Sequence, residues 1–122
     1  MRPSERLASY RLYELVVDCV DPRRSASWWA DALGAGLGGD PQHNWWSLTD
    51  VPSLPFEAWV FVPVPEPKGA KNRVHWDVTV DSVAALDDLV ATGARVLRPQ
   101  DEATDWTVMA DPEGNEFCAF VS

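Results

Sequence analysis

The sequence predicts a single α+β domain built from two copies of a strand–helix–strand–strand–strand unit, and three observations predict it. The chain has 122 residues, enough for one hydrophobic core and too few for two ordinary domains. A β-branched run followed by a capped helix occurs twice. Corresponding landmarks of the two copies lie at a nearly constant offset: Glu14 to His75 is 61 residues, Asp21 to Asp81 is 60 and Gly34 to Gly93 is 59. Cap and glycine signals recur in any α+β domain, but three landmarks drifting by one residue per step favour a true repeat. The units are expected at about residues 10–64 and 74–122, with a connector at 65–73, inside one domain spanning 1–122.

In the first unit, Leu12–Val20 alternates apolar and polar residues as a strand does. Asp21-Pro22 then places an N-cap acid before a proline at the first helical position. Ala26, Trp29, Ala30 and Leu33 follow at helical spacing, and Gly34 ends the helix. Strands are expected near His43–Leu48 and Phe56–Val62, while the glycine-rich Gly34–Gly39 reads as a turn. Pro63–Lys71 reads as an extended connector. The second unit opens with a strand at Val74–Val80. Asp81 or Ser82 caps a helix carrying Val83, Leu86, Leu89 and Val90, which Gly93 closes. Strands near Arg95–Leu97, Asp105–Ala110 and Glu116–Val121 complete it.

Composition narrows the partners. Apolar residues at 46% and charged residues at 24% are globular rather than disordered proportions. Ten bases against 19 acids give a net charge of −9 and a pI near 4.4. So acidic a surface repels phosphate backbones, and no basic run exceeds Arg23-Arg24, which argues against nucleic acid. The acids crowd the second half: residues 1–61 net −3, and residues 62–122, with 11 acids and 5 bases, net −6. The longest apolar run, Ala58–Val64, is far too short for a membrane span and contains Pro63. Nothing near Met1 reads as an export signal, and Cys19 and Cys118 make no disulfide framework, so a cytoplasmic protein is expected.

Strand parity sorts the polar residues. Leu15, Val17 and Cys19 share one face of the opening strand, and Glu14, Val16 and Asp18 share the other. In the second unit Trp76, Val78 and Val80 oppose His75, Asp77 and Thr79. The apolar faces are where the helices should pack. The other faces carry Glu14, Asp18, His75 and Asp77, groups too costly for a dry core unless paired, hydrated or metal-bound. A cavity would explain them; so would a solvated strand face.

Val16 to Pro22, Trp28-Trp29 to Leu33-Gly34, Pro65 to Lys68, Lys71 to Val78, Thr92 to Leu97 and Asp111 to Cys118 follow one another over residues 12–121. In that order and spacing they resemble glyoxalase-like members of the vicinal oxygen chelate superfamily, which includes bleomycin-resistance proteins and extradiol dioxygenases. The resemblance implies two βαβββ modules whose mixed sheets curl around a shared cavity, commonly in a homodimer. It also implies four metal ligands at paired strand positions. Seven residues before the Asp of Asp-Pro stands Glu14, and its counterpart is His75. The position four beyond the glycine of Asp-Pro-x-Gly, a glutamate in metal-dependent relatives, is Cys118 here. The remaining ligand should come from the Phe56–Val62 strand, where Glu57 is the sole donor although the spacing favours Phe61. Carboxylate, imidazole and thiolate can hold zinc or iron, and manganese or nickel are further divalent candidates, but Cys118 is a departure from an oxygen-rich site. The plain alternatives are a buried cysteine and a structural histidine.

A metal-free route is also open. His75 and Asp77, two apart on one strand face, have Cα atoms roughly 7 Å apart, close enough for a bent or water-bridged contact. Such a pair can shuttle a proton; it can equally be an ion pair with Arg73 or a neighbouring strand. Gly34–Gly39 follows a helix rather than opening one, so it is no phosphate loop. Seven tryptophans point to large aromatic walls. Trp29 and Trp76 are expected in the core, while Trp45, Trp46, Trp59 and Trp106 are candidates to line a ligand space. Aromatic walls beside Asp18 and Asp77 suit an aromatic or cationic small molecule. The resulting expectation is a small-molecule-binding protein with no required cofactor or a weakly held metal. The alternatives are a lyase, isomerase or dioxygenase-like enzyme, metal-dependent or working through His75 and Asp77, and an interaction subunit without a ligand.

Overall fold

The computed structural model describes residues 14–51, 58–72 and 74–121. Its elements, in chain order, are β1 (Glu14–Cys19), α1 (Pro22–Leu33), β2 (Gly36–Asp40), β3 (Trp45–Thr49) and β4 (Ala58–Pro63), followed by β5 (Trp76–Val80), α2 (Val83–Ala91), β6 (Arg95–Arg98), β7 (Trp106–Ala110) and β8 (Glu116–Val121). This is βαβββ twice, the α+β class the sequence predicts. Each half forms a four-stranded mixed sheet, ordered β1-β4-β3-β2 and β5-β8-β7-β6. In both, the opening strand runs parallel to the last and the other pairs are antiparallel. No helix among the described residues is long and apolar enough to cross a membrane.

The helix boundaries follow their local chemistry. The Asp21 side chain accepts from the Arg24 amide, Pro22 occupies the first turn, and Gly34 at φ 67° returns its amide to the carbonyls of Ala30 and Asp31. Ser82, rather than Asp81, caps α2 through the Ala85 amide. One sequence expectation is corrected. Gly36–Asp40 is a strand, not a turn, paired antiparallel with β3. Its glycines permit close approach: a β-carbon at Gly39 would overlap the Trp46 ring.

The helix-covered faces of both sheets meet in one core. Trp29 of α1 sits at its centre, 5.2 Å from Trp59, 5.5 Å from Trp76 and 4.9 Å from Phe117, measured between ring centroids. Trp29 is thus packed against both sheets, and its indole N–H donates to the buried Asp111 carboxylate at 2.8 Å. Trp28 Nε1 donates to the Thr92 carbonyl, and the Glu113 carboxylate accepts from the Val20 and Asp21 amides. The Asp-Pro-Glu-Gly turn is therefore a clasp between the halves. The opposite faces of the two sheets stay open, and they carry the polar residues that parity singled out.

Candidate functional site

The second sheet presents the larger opening, a cleft of about 380 Å³. Strand register builds its floor: Asp77 lies opposite Cys118, Val108 opposite Cys118 on the other side, and Trp106 opposite Phe120. Directly opposed residues share a face, so these side chains form one surface. Trp106 and Phe120 make an aromatic wall with centroids 5.7 Å apart. His75, which the sequence placed inside the strand, stands one residue before β5 and overhangs the floor.

His75, Asp77 and Cys118 converge. One ligand atom from each lies within 4.8 Å of the others, and His75 Nε2 is 3.5 Å from Asp77 Oδ1. Burial pushes the Cys118 thiol up, and the Asp77 carboxylate adds to this by repelling a thiolate and accepting the thiol's hydrogen bond; Lys71 opposes it. The thiol is thus protonated at neutral pH, and with no metal Cys118 is a poor nucleophile. Once Cys118 is deprotonated, an imidazole, a carboxylate and a thiolate would suit zinc better than a hard oxygen-seeking ion, and three protein ligands would leave positions for a ligand.

The other expected site residues lie elsewhere. Glu14 borders a separate cleft of about 290 Å³ on the first sheet with Trp45, Trp46 and Ser47, and this cleft shares no lining residue with the first. Within one chain, Glu14 is therefore not among the donors beside His75. Trp45 projects from its strand, 51% exposed, beside His43. Trp46 lies under the Arg23 guanidinium, 5.1 Å from its ring centroid. Asp18 borders a third cleft with Glu66, Lys68 and Glu113. Trp59 is core, not cavity wall: it pairs with Leu15, so it shares the helix-facing side and is buried. Glu57 lies outside the described residues. Cys19 is inert, its thiol pushed up to about 12 chiefly by burial, with Glu113 adding to the effect.

Sequence reasoning missed the cations of the main cleft, Lys71 and Arg98, and the partners of Glu116. The Glu116 carboxylate accepts from Lys68 Nζ at 2.9 Å and from the Asn72 amide at 3.0 Å. Burial raises this carboxyl, but those two bonds outweigh it and hold it below the ordinary value. Lys71 and Asn72 belong to the connector, and a Pro-rich linker gives no parity signal to say which way they face.

Residues 14–120 match the family model described as a glyoxalase-like domain. A search of curated proteins finds no match. Among solved structures, a glyoxalase-related enzyme from Fulvimarina pelagi superposes with a TM-score of 0.68 at 14% identity, covering 93% of this chain and 88% of that one. The fosfomycin resistance protein FosX from Mesorhizobium loti gives 0.68 at 10% identity, covering 93% and 92%. The trypanothione-dependent glyoxalase I of Leishmania major gives 0.62 at 14% identity, covering 91% and 86%. At these identities the structural likeness speaks for the fold. Together with the family match over nearly its whole length, it leads to one conclusion: this chain belongs to the glyoxalase-like domain family.

Proposed function

We propose that this protein binds a small aromatic molecule on the open face of its second sheet. The observation that carries the reading is the cleft itself: a concave surface of ligand size joins an aromatic wall, Trp106 and Phe120, to a convergent polar group, His75, Asp77 and Cys118. Trp106 is only partly buried, so its indole is available for stacking. Titration with phenyl or indolyl compounds should quench tryptophan fluorescence in the wild type. Trp106→Leu should weaken binding about tenfold, a loss on the scale of one aromatic contact, without lowering the unfolding midpoint. Equal affinity in both proteins would refute the assignment.

A second reading, a metal-dependent or His/Asp acid–base enzyme, is favoured by the convergence of the three donors within 4.8 Å. His75, Asp77 and Cys118 would hold the ion, and a bound zinc would polarise a ligand oxygen. In this chain's own chemistry, Asp77 would orient the imidazole through Nε2, leaving His75 Nδ1 as the atom free to take or give a proton. Uptake of zinc requires Cys118 to lose a proton that burial and Asp77 retain, so zinc affinity should rise steeply with pH. Competition titrations between pH 6 and 9 test this. An affinity that is flat with pH, or unchanged in His75→Ala, would exclude this site.

A homodimer belongs to the same proposal. The two open clefts lie on separate sheets, and a second copy is the partner able to bring Glu14 of one chain opposite His75 of another. Light scattering should give twice the 13.6 kDa chain mass; a single-chain mass at high concentration would count against it.

A further inference from the structure

The charge around the main cleft runs against the charge of the molecule. The chain nets −9, and its second half carries 11 acids against 5 bases. Yet every described base of that half, Lys68, Lys71, Arg95 and Arg98, borders this cleft or the smaller one that adjoins it through Lys71 and Glu116. Among the described residues lining these two clefts, only Asp77 and Glu116 are acids. Both are engaged: Glu116 uses one oxygen on Lys68 and the other on the Asn72 amide, and Asp77 faces His75 and the Cys118 thiol. Lys71 has no ion pair among the described residues and lines the cleft together with Cys118.

Arg98 reaches the cleft by a backbone device. Arg95 lies opposite Ala110 and Val96 opposite Met109, but the register then shifts, so Arg98 lies opposite Val108. In a regular strand, residues three apart point to opposite faces. The bulge at Leu97 restores Arg98 to the face of Val108, Trp106 and Phe120. Its one ion-pair contact among the described residues, Asp101 at 3.8 Å, is long and solvent-exposed, and leaves most guanidinium donors free. The bulge thus sets a charged donor on the same face as an aromatic stacking surface.

Resting on the binding reading above, we propose that the ligand of the second-sheet cleft is a small aromatic acid, its ring on Trp106 and Phe120 and its anionic group between Lys71 and Arg98. The expectation of a cationic ligand rested on Asp18 and Asp77; the first lies in another cleft and the second is already engaged.

Calorimetry with three probes of one shape tests the proposal: phenylacetate, neutral phenylacetamide and cationic phenethylamine, each against the wild type, Arg98→Gln, Lys71→Gln and Trp106→Leu. Phenylacetate should bind about tenfold more tightly than phenylacetamide, as a charge-assisted contact gives, and lose that advantage in high salt. Arg98→Gln and Lys71→Gln should each remove most of the preference while leaving phenylacetamide affinity unchanged. Equal binding of acid and amide, or a preference for phenethylamine, with Trp106→Leu still weakening all three, overturns the anionic ligand and leaves the site standing. No binding of any probe, or binding indifferent to Trp106→Leu, overturns both.

Discussion

Asp111 shows how a residue of a family motif can be structural rather than catalytic. It is buried, and burial pushes its carboxyl up, opposed by bonds from the Trp29 indole and from the amides of Asn115 and Glu113. Those three donors leave it no room to turn toward a ligand. Asparagine has the same shape but must direct an N–H₂ at one of the three N–H groups. Asp111→Asn is therefore expected to cost about 2 kcal/mol of unfolding free energy, the penalty of a buried unmatched donor, with ligand binding in the still-folded protein unchanged. Urea denaturation checks it, and a stability equal to the wild type would show that the clasp carries no weight. The sequence marked this residue only as part of a turn. Its buried role depends on Trp29, 82 residues away, and no local pattern announces that pairing.

At the level of elements, sequence parity read correctly wherever a strand was regular. Leu15, Val17 and Cys19 do face the helix, and Glu14 and Asp77 do face away from the core. Two places lay outside its reach. Glycines at 36, 38 and 39 hid β2, because they look locally like turn formers, although Gly36 and Gly39 answer to the close approach of Thr49 and Trp46 in β3. Arg98 lay beyond the strand expected near Arg95–Leu97, and the bulge that sets its face has no local signature. The candidate ligands fared unevenly for a related reason. His75, Asp77 and Cys118 converge through the β5–β8 pairing, which the repeat made legible. Trp59, expected to line a ligand space, is core instead, because a count of tryptophans alone could not separate core from wall.

The whole molecule is organised around Trp29, with two sheets turned inward onto one aromatic core and two open faces turned outward. That arrangement explains why ionisable residues on sheet strands are tolerated, since they line open clefts instead of a dry interior. It also places the chemistry of each half on a different surface, so a site assembled from one chain must stand on one sheet. The second sheet is the better equipped, with aromatic wall, convergent donors and cations together. The most direct test maps where a ligand touches: amide shift changes of the labelled protein on titration with phenylacetate. They should concentrate on Asp77, Arg98, Trp106, Cys118 and Phe120, with the core at Trp29 and Trp59 unmoved. Changes gathered instead around Trp45, Trp46 and Ser47 would place the binding site on the first sheet and contradict the account.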